Sequence, residues 1–475
     1  MAEIGIYGAA QTVTGSLSLI TLNGNHNKKK ILVDCGLFQN GGIIKHNQLP
    51  EDIKPEEIEA VLVTHAHVDH TGRLPILVAN PSKSKRFSGQ IFTTAPTQDL
   101  TEIVLNDCSY LMQEEAYRRK KKYGETIEPL YTDEHVERVM RRFTQPVNYN
   151  ETVEIIPGIV RATFFNAGHI LGAASIRLEI DDGVQKTITF SGDIGNDGKP
   201  FIDDPELPSA SDFVVEECTY GDKNHKPLAL SVEEFYGIIK DTFNRSGNVY
   251  IPAFAIERTQ EILYYIKKGI ESGDIPKTTK VFLDSPMAIS ATEVFNEYPE
   301  FYNSRARGLI EAGESLFNFD NLTFSNTSED SKAINEIKGG AIIIAGSGMC
   351  NGGRILHHMR HNLGREECSF IFLNYSPPGS LPRQITEKKL RARNGIEYVN
   401  VFGFDIPIKA QIHTINGFSA HAGRTKLIQW AKHTRSPQTI FLNHGSIKPM
   451  QALASELTGR GFDVEMPKLN QKYRI

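Results

Sequence analysis

The segment from His65 to His70 constrains this chain more than any other part of the sequence. It places three histidines and one aspartate within six residues, just after the apolar run AVLV. An apolar core cannot hold four such side chains without polar partners, so they require a metal ion or solvent. Imidazole nitrogens and carboxylate oxygens together form a ligand set that suits Zn²⁺. The alternative interpretation is a solvated loop after a strand. The four residues are His65, His67, Asp69 and His70.

Other polar residues end or follow strand-like apolar runs elsewhere in the chain. Because the carboxyl ends of several strands meet at one edge of an open α/β sheet, we expect these side chains to converge beside the histidines. Singly, each has a simpler interpretation as a turn cap or a locally satisfied loop residue. Their shared placement favours a common site. The residues are Asp34, His169, Asp193, Glu217 and His444.

Composition narrows the class of protein. A chain of 475 residues that is 40% hydrophobic is long enough for two or more domains. Apolar β-rich runs alternate with amphipathic segments throughout, which predicts a layered α/β fold. The chain has no long apolar stretch and no signal-peptide pattern at its start, so we expect a cytoplasmic protein without a membrane segment. The five cysteines form no CxxC pair, which argues against a disulfide framework or a thiolate zinc site.

Asp34, the HxHxDH segment, His169 and Asp193 resemble, in order, four motifs of the metallo-β-lactamase superfamily. The resemblance implies an αββα sandwich and two Zn²⁺ ions per chain. In this interpretation Asp193 bridges the two metals, and Asp34 orients ligands without touching a metal. The first zinc would be held by His65, His67 and His169, and the second by Asp69, His70 and His444.

Further segments resemble motifs A, B and C of the β-CASP nucleases, and the likeness covers nearly the whole chain. The resemblance is to minimal prokaryotic relatives of the messenger-RNA 3′-end processing endonuclease, without KH domains. It implies an α/β β-CASP cap inserted into the catalytic domain. We therefore expect a discontinuous catalytic domain of residues 1–216 plus 405–475 and a cap of residues 217–404. The matching segments are Glu217–Asp222, Gly417–Gly423 and Asn443–Gly445, with Ser347–Met349 and Gly352–Arg354.

The same resemblance implies a ribonuclease. Its activity would be hydrolysis of phosphodiester bonds in single-stranded RNA by a metal-activated hydroxide, leaving 5′-phosphate and 3′-hydroxyl ends. The balance of endonuclease and 5′-exonuclease cutting stays open, and family habit suggests a homodimer. Asp69 and Asp193 offset only part of the charge of two Zn²⁺ ions, which favours an anionic substrate. The implied catalytic residues are Asp69, Asp193, His421 and Glu217.

His421 follows Ser419, which we interpret as the N-cap of a helix from His421 to His433. A histidine in the first turn of a helix lies beside free backbone N–H groups and can hold an anion. By resemblance, His421 would contact the scissile phosphate and protonate the leaving oxygen, while Glu217 tunes it through a hydrogen bond. The alternative is a solvent-facing capping histidine.

A glycine-rich segment, AIIIAGSGMCNGGRILHH, predicts a strand, a turn and a helix. It does not predict a nucleotide cofactor, because Asn351 replaces the third glycine of GxGxxG and no Lys-Ser or Lys-Thr follows. A turn that cradles an RNA phosphate through Ser347 fits instead. We interpret three histidines of the helix as surface or packing residues rather than zinc ligands. They are His357, His358 and His361.

Basic residues cluster in three runs. Arg118–Lys122 and Arg141–Arg142 can be either solvated helix faces or RNA contacts. The third run is the preferred surface for the RNA backbone. It comprises Arg383, Lys388, Lys389 and Arg391.

The chain also departs from the family pattern, at Asn374–Arg383 and at Ser446 after His-Gly. Three other functions remain open to comparison. A thioester or lactone hydrolase should lack the cap and His421, and a noncatalytic scaffold in RNA processing should have lost metal ligands. A DNA nuclease of the same fold is the third, and His444 favours RNA over it.

Overall fold

A computed structural model describes residues 2–23, 28–39, 47–373, 379–387, 390–393, 395–435 and 437–475 of the chain, without the side chains of Arg391 and Arg393. It divides the chain into two compact units. The first unit comprises Met1–Asn224 and His421–Ile475, and the second unit comprises His225–Ala420. In the described part of the chain, none of the helices combines the length and apolarity needed to cross a bilayer.

Two sheets form the centre of the first unit. With strands numbered along the chain, one sheet has the order β22-β1-β2-β3-β4-β5 and the other β21-β20-β10-β9-β8-β7-β6. The strands are β1 Glu3–Ile6, β2 Ser18–Leu22, β3 Lys29–Val33, β4 Ile58–Leu62, β5 Gln90–Phe92, β6 Thr152–Ile156, β7 Val160–Asn166, β8 Ala174–Asp181, β9 Gln185–Phe190, β10 Phe213–Glu217, β20 Thr439–Asn443, β21 Val464–Glu465 and β22 Gln471–Arg474.

Helices cover the outer faces of both sheets. They are α1 Val68–Thr71, α2 Ala95–Tyr123, α3 Asp133–Met140, α11 Arg424–His433 and α12 Ile447–Thr458, with helices also numbered along the chain. Short 3-10 turns lie at Pro55–Glu57, Leu74–Val78 and Lys83–Lys85.

The buried side chains of the first unit form cores between its sheets and helices, and these cores define its layers. One core lies between the sheets and joins residues such as Ile31 of β3 with Ile176 of β8. A second core joins the outer face of the first sheet to α2 and α3, and a third joins the outer face of the second sheet to α11 and α12. Alternating side chains serve the two faces of a strand, so each sheet can supply two cores. This arrangement confirms the predicted αββα sandwich.

The second unit has its own six-stranded parallel sheet, in the order β13-β12-β14-β11-β15-β19, and a small antiparallel sheet, β16-β17-β18. The strands are β11 Val249–Pro252, β12 Lys280–Asp284, β13 Leu322–Phe324, β14 Ala341–Ala345, β15 Ser369–Phe372, β16 Arg391–Arg393, β17 Ile396–Val401, β18 Phe404–Pro407 and β19 Gln411–Thr414. The helices are α4 Leu228–Asn244, α5 Arg258–Ser272, α6 Pro286–Glu297, α7 Ser304–Glu311, α8 Ser328–Ala333, α9 Ile355–Asn362 and α10 Leu381–Thr386, with 3-10 turns at Pro299–Phe301 and Ile334–Glu336.

The divisions between the units fall at 224/225 and 420/421, whereas the sequence analysis places the domain boundaries at 216/217 and 404/405. Pairing explains the later return to the first unit, because β19 joins the sheet of the second unit beside β15. At the other division, Thr219 stays with the first unit because its hydroxyl donates to the backbone oxygen of His444. The assignment of the two units as catalytic domain and cap stays a prediction.

Glu216 is an unusual member of the first unit's core. It is fully buried near the end of β10, pairs with Leu442 of β20, and faces the helix-covered side together with Val214. Neither carboxyl oxygen has a hydrogen-bond partner among the described residues. Burial, and then the neighbouring charge of Glu217, raise the pKa of Glu216 well above its usual value. The folded state therefore holds this side chain in its neutral form.

We expect Glu216→Met to stabilise the fold, and to do so more strongly as the pH rises. A raised pKa in the folded state means that wild-type stability falls once the pH exceeds the ordinary glutamate pKa of 4.5. The loss amounts to about 1.4 kcal/mol per pH unit until the folded-state pKa is reached. Urea unfolding of metal-free protein between pH 5 and pH 8 measures this effect. Glu216→Gln is the matched control, since it keeps the buried polar group but cannot titrate. A stability difference between wild type and Glu216→Gln that stays constant with pH would contradict the neutral assignment.

Candidate metal centre

The predicted site residues of the first unit all follow or end strands. The paired strands β3 and β4 lead into Asp34 and into the segment His65 to His70. In the second sheet, β10 pairs with both β9 and β20 in parallel, so residues at the ends of these three strands come together at one edge. Those residues are Asp193 after β9, Glu217 at the end of β10 and His444 after β20, and His169 follows β7.

The first group of donor atoms comes from three histidines and one aspartate. His67 Nδ1 lies 3.1 Å from Nε2 of both His65 and His169. Asp193 Oδ2 lies 3.5 Å from the same two Nε2 atoms. Ligands about 2.1 Å from a tetrahedral zinc are separated by roughly 3.4 Å, so these spacings fit such an ion. The structure brings these four residues together, and their donor atoms lie within 4.8 Å of one another.

A second group shares Asp193 with the first. His70 Nε2 lies 3.4 Å from His444 Nε2 and 3.4 Å from Asp193 Oδ1. His444 Nε2 lies 3.5 Å from Asp69 Oδ2. Asp193 thus turns one carboxylate oxygen toward each group. Its Oδ1 atom is buried and receives no hydrogen bond from the described residues, which fits a position reserved for a cation.

Asp34 lies behind His70. Its Oδ2 atom is 2.7 Å from His70 Nδ1, and its Oδ1 atom accepts a hydrogen bond from the Thr64 backbone N–H at 2.8 Å. Ser16 also donates its hydroxyl to Asp34. A carboxylate that holds Nδ1 fixes the ring and presents Nε2 as the ligand atom. The geometry therefore supports the predicted role of Asp34 as an orienting residue.

The environment of the first group's histidines favours their neutral form. Burial lowers the pKa of His65 and of His169 well below the usual value, and lowers the pKa of His67 to about 4. Neutral imidazole is the form that binds a metal. Although burial raises the pKa of Asp193, the positive charges of His444, His70 and His421 lower it well below its usual value, so this carboxylate is charged.

Glu217 and His421 form a pair at the edge of the same cluster. His421 Nδ1 lies 3.1 Å from Glu217 Oε1, which also accepts a hydrogen bond from the Ile194 backbone N–H at 2.8 Å. The His421 side chain is 23% exposed, whereas Glu217 is fully buried. Burial lowers the pKa of His421, but the carboxylates of Glu217 and Asp193 outweigh it and raise the pKa to about 9.

The predicted helix from His421 to His433 is wrong at its start. The helix begins at Arg424 with Gly423 as its N-cap, so Ser419 is not the cap and His421 is not in the first turn. His421 instead forms an isolated antiparallel bridge with Gly195, and the Ala422 N–H donates to the Ile194 oxygen at 2.7 Å. Pairing with the chain just after Asp193 keeps this stretch extended and brings His421 to the cluster.

Family models match three parts of the chain. The metallo-β-lactamase superfamily model covers residues 13–86, the β-CASP domain model covers 259–385, and the model of the Zn-dependent metallo-hydrolase RNA specificity domain covers 405–467. Ribonuclease TTHA0252 of Thermus thermophilus is 34% identical over 465 residues, which span 98% of each chain. The chain belongs to the β-CASP family of the metallo-β-lactamase superfamily. The predicted resemblance is thereby confirmed.

Other relatives are longer than this chain. Transcription termination factor FttA of Methanosarcina mazei is 30% identical over 90% of this chain, which spans 65% of that protein. FttA of Thermococcus kodakarensis is 31% identical over 84% of this chain, which spans 59% of its length. A crystal structure of a protein of unknown function from Enterococcus faecalis V583 covers 99% of both chains with a TM-score of 0.54 and 12% identity, which shows a shared fold.

Apart from His421, the residues preferred as RNA contacts fall within residues 225–420 of the second unit. The Ser347 hydroxyl donates to Asn351 Oδ1 at 2.7 Å within its own glycine-rich turn, and the Arg383 side chain pairs with Glu387. Ser419 is partly buried. Lys388 and Lys389 lie outside the described residues, as does the Arg391 side chain. So do residues 374–378 of the segment that departs from the family pattern.

Sequence reasoning missed several residues that support the cluster. The Thr64 hydroxyl lies 3.1 Å from His65 Nδ1, and the Thr219 hydroxyl lies 3.3 Å from His444 Nδ1. The centre of the Tyr220 ring lies 6.2 Å from that of His421, with the two ring planes tilted by 55°. Thr219 and Tyr220 belong to the segment Glu217–Asp222 and Thr64 precedes His65, but spacing along the chain does not reveal which ring nitrogen a neighbouring hydroxyl will contact.

His358 supports the interpretation of the three helix histidines as packing or surface residues. It is buried, and its Nε2 atom lies 2.6 Å from Asp284 Oδ2. Arg354 donates to the other oxygen of Asp284 at 2.8 Å. This partly buried network of Asp284, Arg354 and His358 holds the start of α9, which follows the glycine-rich turn, and the sequence analysis did not anticipate it.

Proposed function

We propose that this β-CASP chain is a zinc-dependent ribonuclease that hydrolyses phosphodiester bonds of single-stranded RNA and leaves 5′-phosphate and 3′-hydroxyl ends. The observation that carries the proposal is the pair of donor groups that share Asp193, with His421 and Glu217 at their edge. The similarity to a ribonuclease over 98% of the chain supports RNA as the substrate. A cytoplasmic location and a homodimer are part of the same proposal.

The proposed ligands divide between two ions. His65, His67 and His169 would hold one zinc, and Asp69, His70 and His444 the other, with Asp193 between them. When bound, two Zn²⁺ ions stabilise charge on phosphate oxygens and lower the pKa of water toward neutrality. Asp69 and Asp193 offset only two of the four positive charges. The two ions together with their direct ligands would therefore keep a net positive charge, which attracts an anionic phosphodiester.

His421, held by Glu217, supplies the proton that the leaving oxygen needs. The Glu217 carboxylate accepts the Nδ1 proton of His421 and favours the doubly protonated ring, with a pKa of about 9. A doubly protonated ring can donate its Nε2 proton to a departing 3′ oxygen. Because Glu217 also accepts the Ile194 N–H, its orientation is fixed before substrate arrives.

Zinc content and substrate preference test the proposal directly. Purified protein should contain about two zinc equivalents per chain, and a chelator should abolish cleavage, because the donor groups bind metal only when deprotonated and assembled. Cleavage should be measured on single-stranded RNA and on single-stranded DNA of the same sequence. Trace metal after zinc reconstitution would contradict the metal assignment, and faster cleavage of DNA than of RNA would contradict the substrate assignment.

A further inference from the structure

Helix α2 extends well beyond the core of the first unit. It runs for 29 residues, from Ala95 to Tyr123, and its last buried residue is Met112. The eleven residues after Met112 therefore form about three further turns, roughly 16 Å of helix, that contribute no buried side chain. A helix end of this length is not explained by the packing of the fold.

The start of α2 is tied to the metal centre. The hydroxyls of Thr94 and Thr97 both donate to the Gly172 oxygen, at 2.7 and 2.9 Å, and Gly172 lies in the loop that carries His169. Tyr117 follows Ala95 by 22 positions, which corresponds to about 33 Å along the axis. The helix thus leads from the His169 loop outward.

The outer part of α2 exposes aromatic rings. Tyr110 and Tyr117 are both 61% exposed. They are seven residues apart, so they lie on the same face of the helix, about 10.5 Å from each other along its axis. Lys121 lies one turn further on this face, and its ammonium group is 5.9 Å from the centre of the Tyr117 ring.

The charge at this helix end is positive. Arg118 and Arg119 pair with Glu115 at 2.9 and 2.8 Å, but Lys120, Lys121 and Lys122 form no ion pair with other described residues. Lysines near a helix C-terminus also complement the helix dipole, which explains the lysines without any ligand. The helix dipole does not explain why Tyr110 and Tyr117 are exposed on one face of the helix near these lysines.

We propose that Tyr110, Tyr117 and Lys120–Lys122 form an outer RNA surface, on which unpaired bases stack on the two rings and phosphates meet the lysines. Stacking on aromatic rings beside cationic side chains is how single strands are bound without sequence preference. The inference rests on the proposed function, since it extends the binding of the same substrate. At about 3.4 Å per stacked nucleotide, 33 Å corresponds to roughly ten nucleotides. Tyr110 follows Ala95 by 15 positions, about 22 Å or roughly seven nucleotides, so an RNA of four nucleotides bound at the metal centre would reach neither ring.

Cleavage kinetics of short and long RNA test this surface on the zinc-loaded protein. Tyr110→Ala/Tyr117→Ala should raise the KM for a 30-nucleotide RNA by about tenfold or more, because each stacked base contributes to binding. The same variant should leave kcat for both lengths unchanged, and the KM for a 4-nucleotide RNA unchanged. Lys120→Gln/Lys121→Gln/Lys122→Gln should flatten the salt dependence of binding. Lys83→Gln/Lys85→Gln, on an exposed turn of the same unit, is the matched control and should change neither value.

Binding of a cleavage-resistant phosphorothioate 30-mer, measured by fluorescence anisotropy, separates this inference from the proposed function. The tyrosine variant should bind the single strand about tenfold more weakly and a duplex of the same length as well as wild type. If wild type cleaves no RNA, the proposed function fails while this comparison still stands. Equal affinity of wild type and tyrosine variant for the single strand would overturn the inference. So would a wild-type dimer that becomes a monomer in the tyrosine variant, since the face would then belong to a second copy of the chain.

Discussion

Replacing His421 by alanine should lower the rate of RNA cleavage by about 10²- to 10⁴-fold, the range for loss of a positioned proton donor, and should leave the zinc content unchanged. The structure gives His421 a partner that is not a metal, since its Nδ1 atom lies 3.1 Å from Glu217. The His421 side chain is 23% exposed, whereas the side chains of His65 and His169 are buried. A histidine that remains accessible is available to a substrate.

This result distinguishes a role of His421 as proton donor from a role as zinc ligand. Donor atoms of Asp193, Glu217, His421 and His444 also lie within 4.8 Å of one another, so His421 could in principle be a ligand. Zinc content by elemental analysis and cleavage rate should be measured on the same preparation. His433→Ala, at an exposed histidine of α11, is the matched control. Loss of zinc from His421→Ala, or cleavage at the parental rate, would show that His421 is not the proton donor.

Replacing Asp193 by alanine should remove zinc and activity together. Its Oδ2 atom lies 3.5 Å from ligand nitrogens of the first donor group, and its Oδ1 atom lies 3.4 Å from His70 Nε2 of the second. The carboxylate would bind both ions and reduce the repulsion between them, so no other residue can replace it. Cleavage should fall to the background of chelated wild-type protein.

Metal affinity, measured by competition with a zinc indicator, checks this prediction without reference to activity. Asp181→Ala, at an exposed aspartate at the end of β8, is the matched control and should bind zinc as wild type does. Retention of two zinc ions by Asp193→Ala would contradict the bridging position. A loss of activity with full zinc content would instead assign Asp193 a role in the chemistry alone.

Much of the fold was predictable because its signals are local. Apolar runs such as Ala341–Ala345 become strands of the length expected, and the glycine-rich turn after this run leads into α9 as predicted. The sandwich and the inserted α/β unit followed from the family resemblance. The position of β19 did not follow, because a strand joins whichever sheet offers it a paired edge, and that edge lies far away in sequence.

The sequence alone determined which side chains could meet a metal, because three imidazoles and carboxylates at the ends of apolar runs have few other uses. Only the tertiary structure decided how they face one another. Asp193 turns one oxygen toward each donor group because β9, β10 and β20 run side by side. Tertiary pairing also keeps His421 outside the predicted helix, since its antiparallel β-bridge to Gly195 outweighs local helix propensity. Sequence reasoning also could not find that Glu216 is buried without a hydrogen-bond partner among the described residues. A glutamate at the end of a strand is expected to be solvated until the neighbouring helices are known.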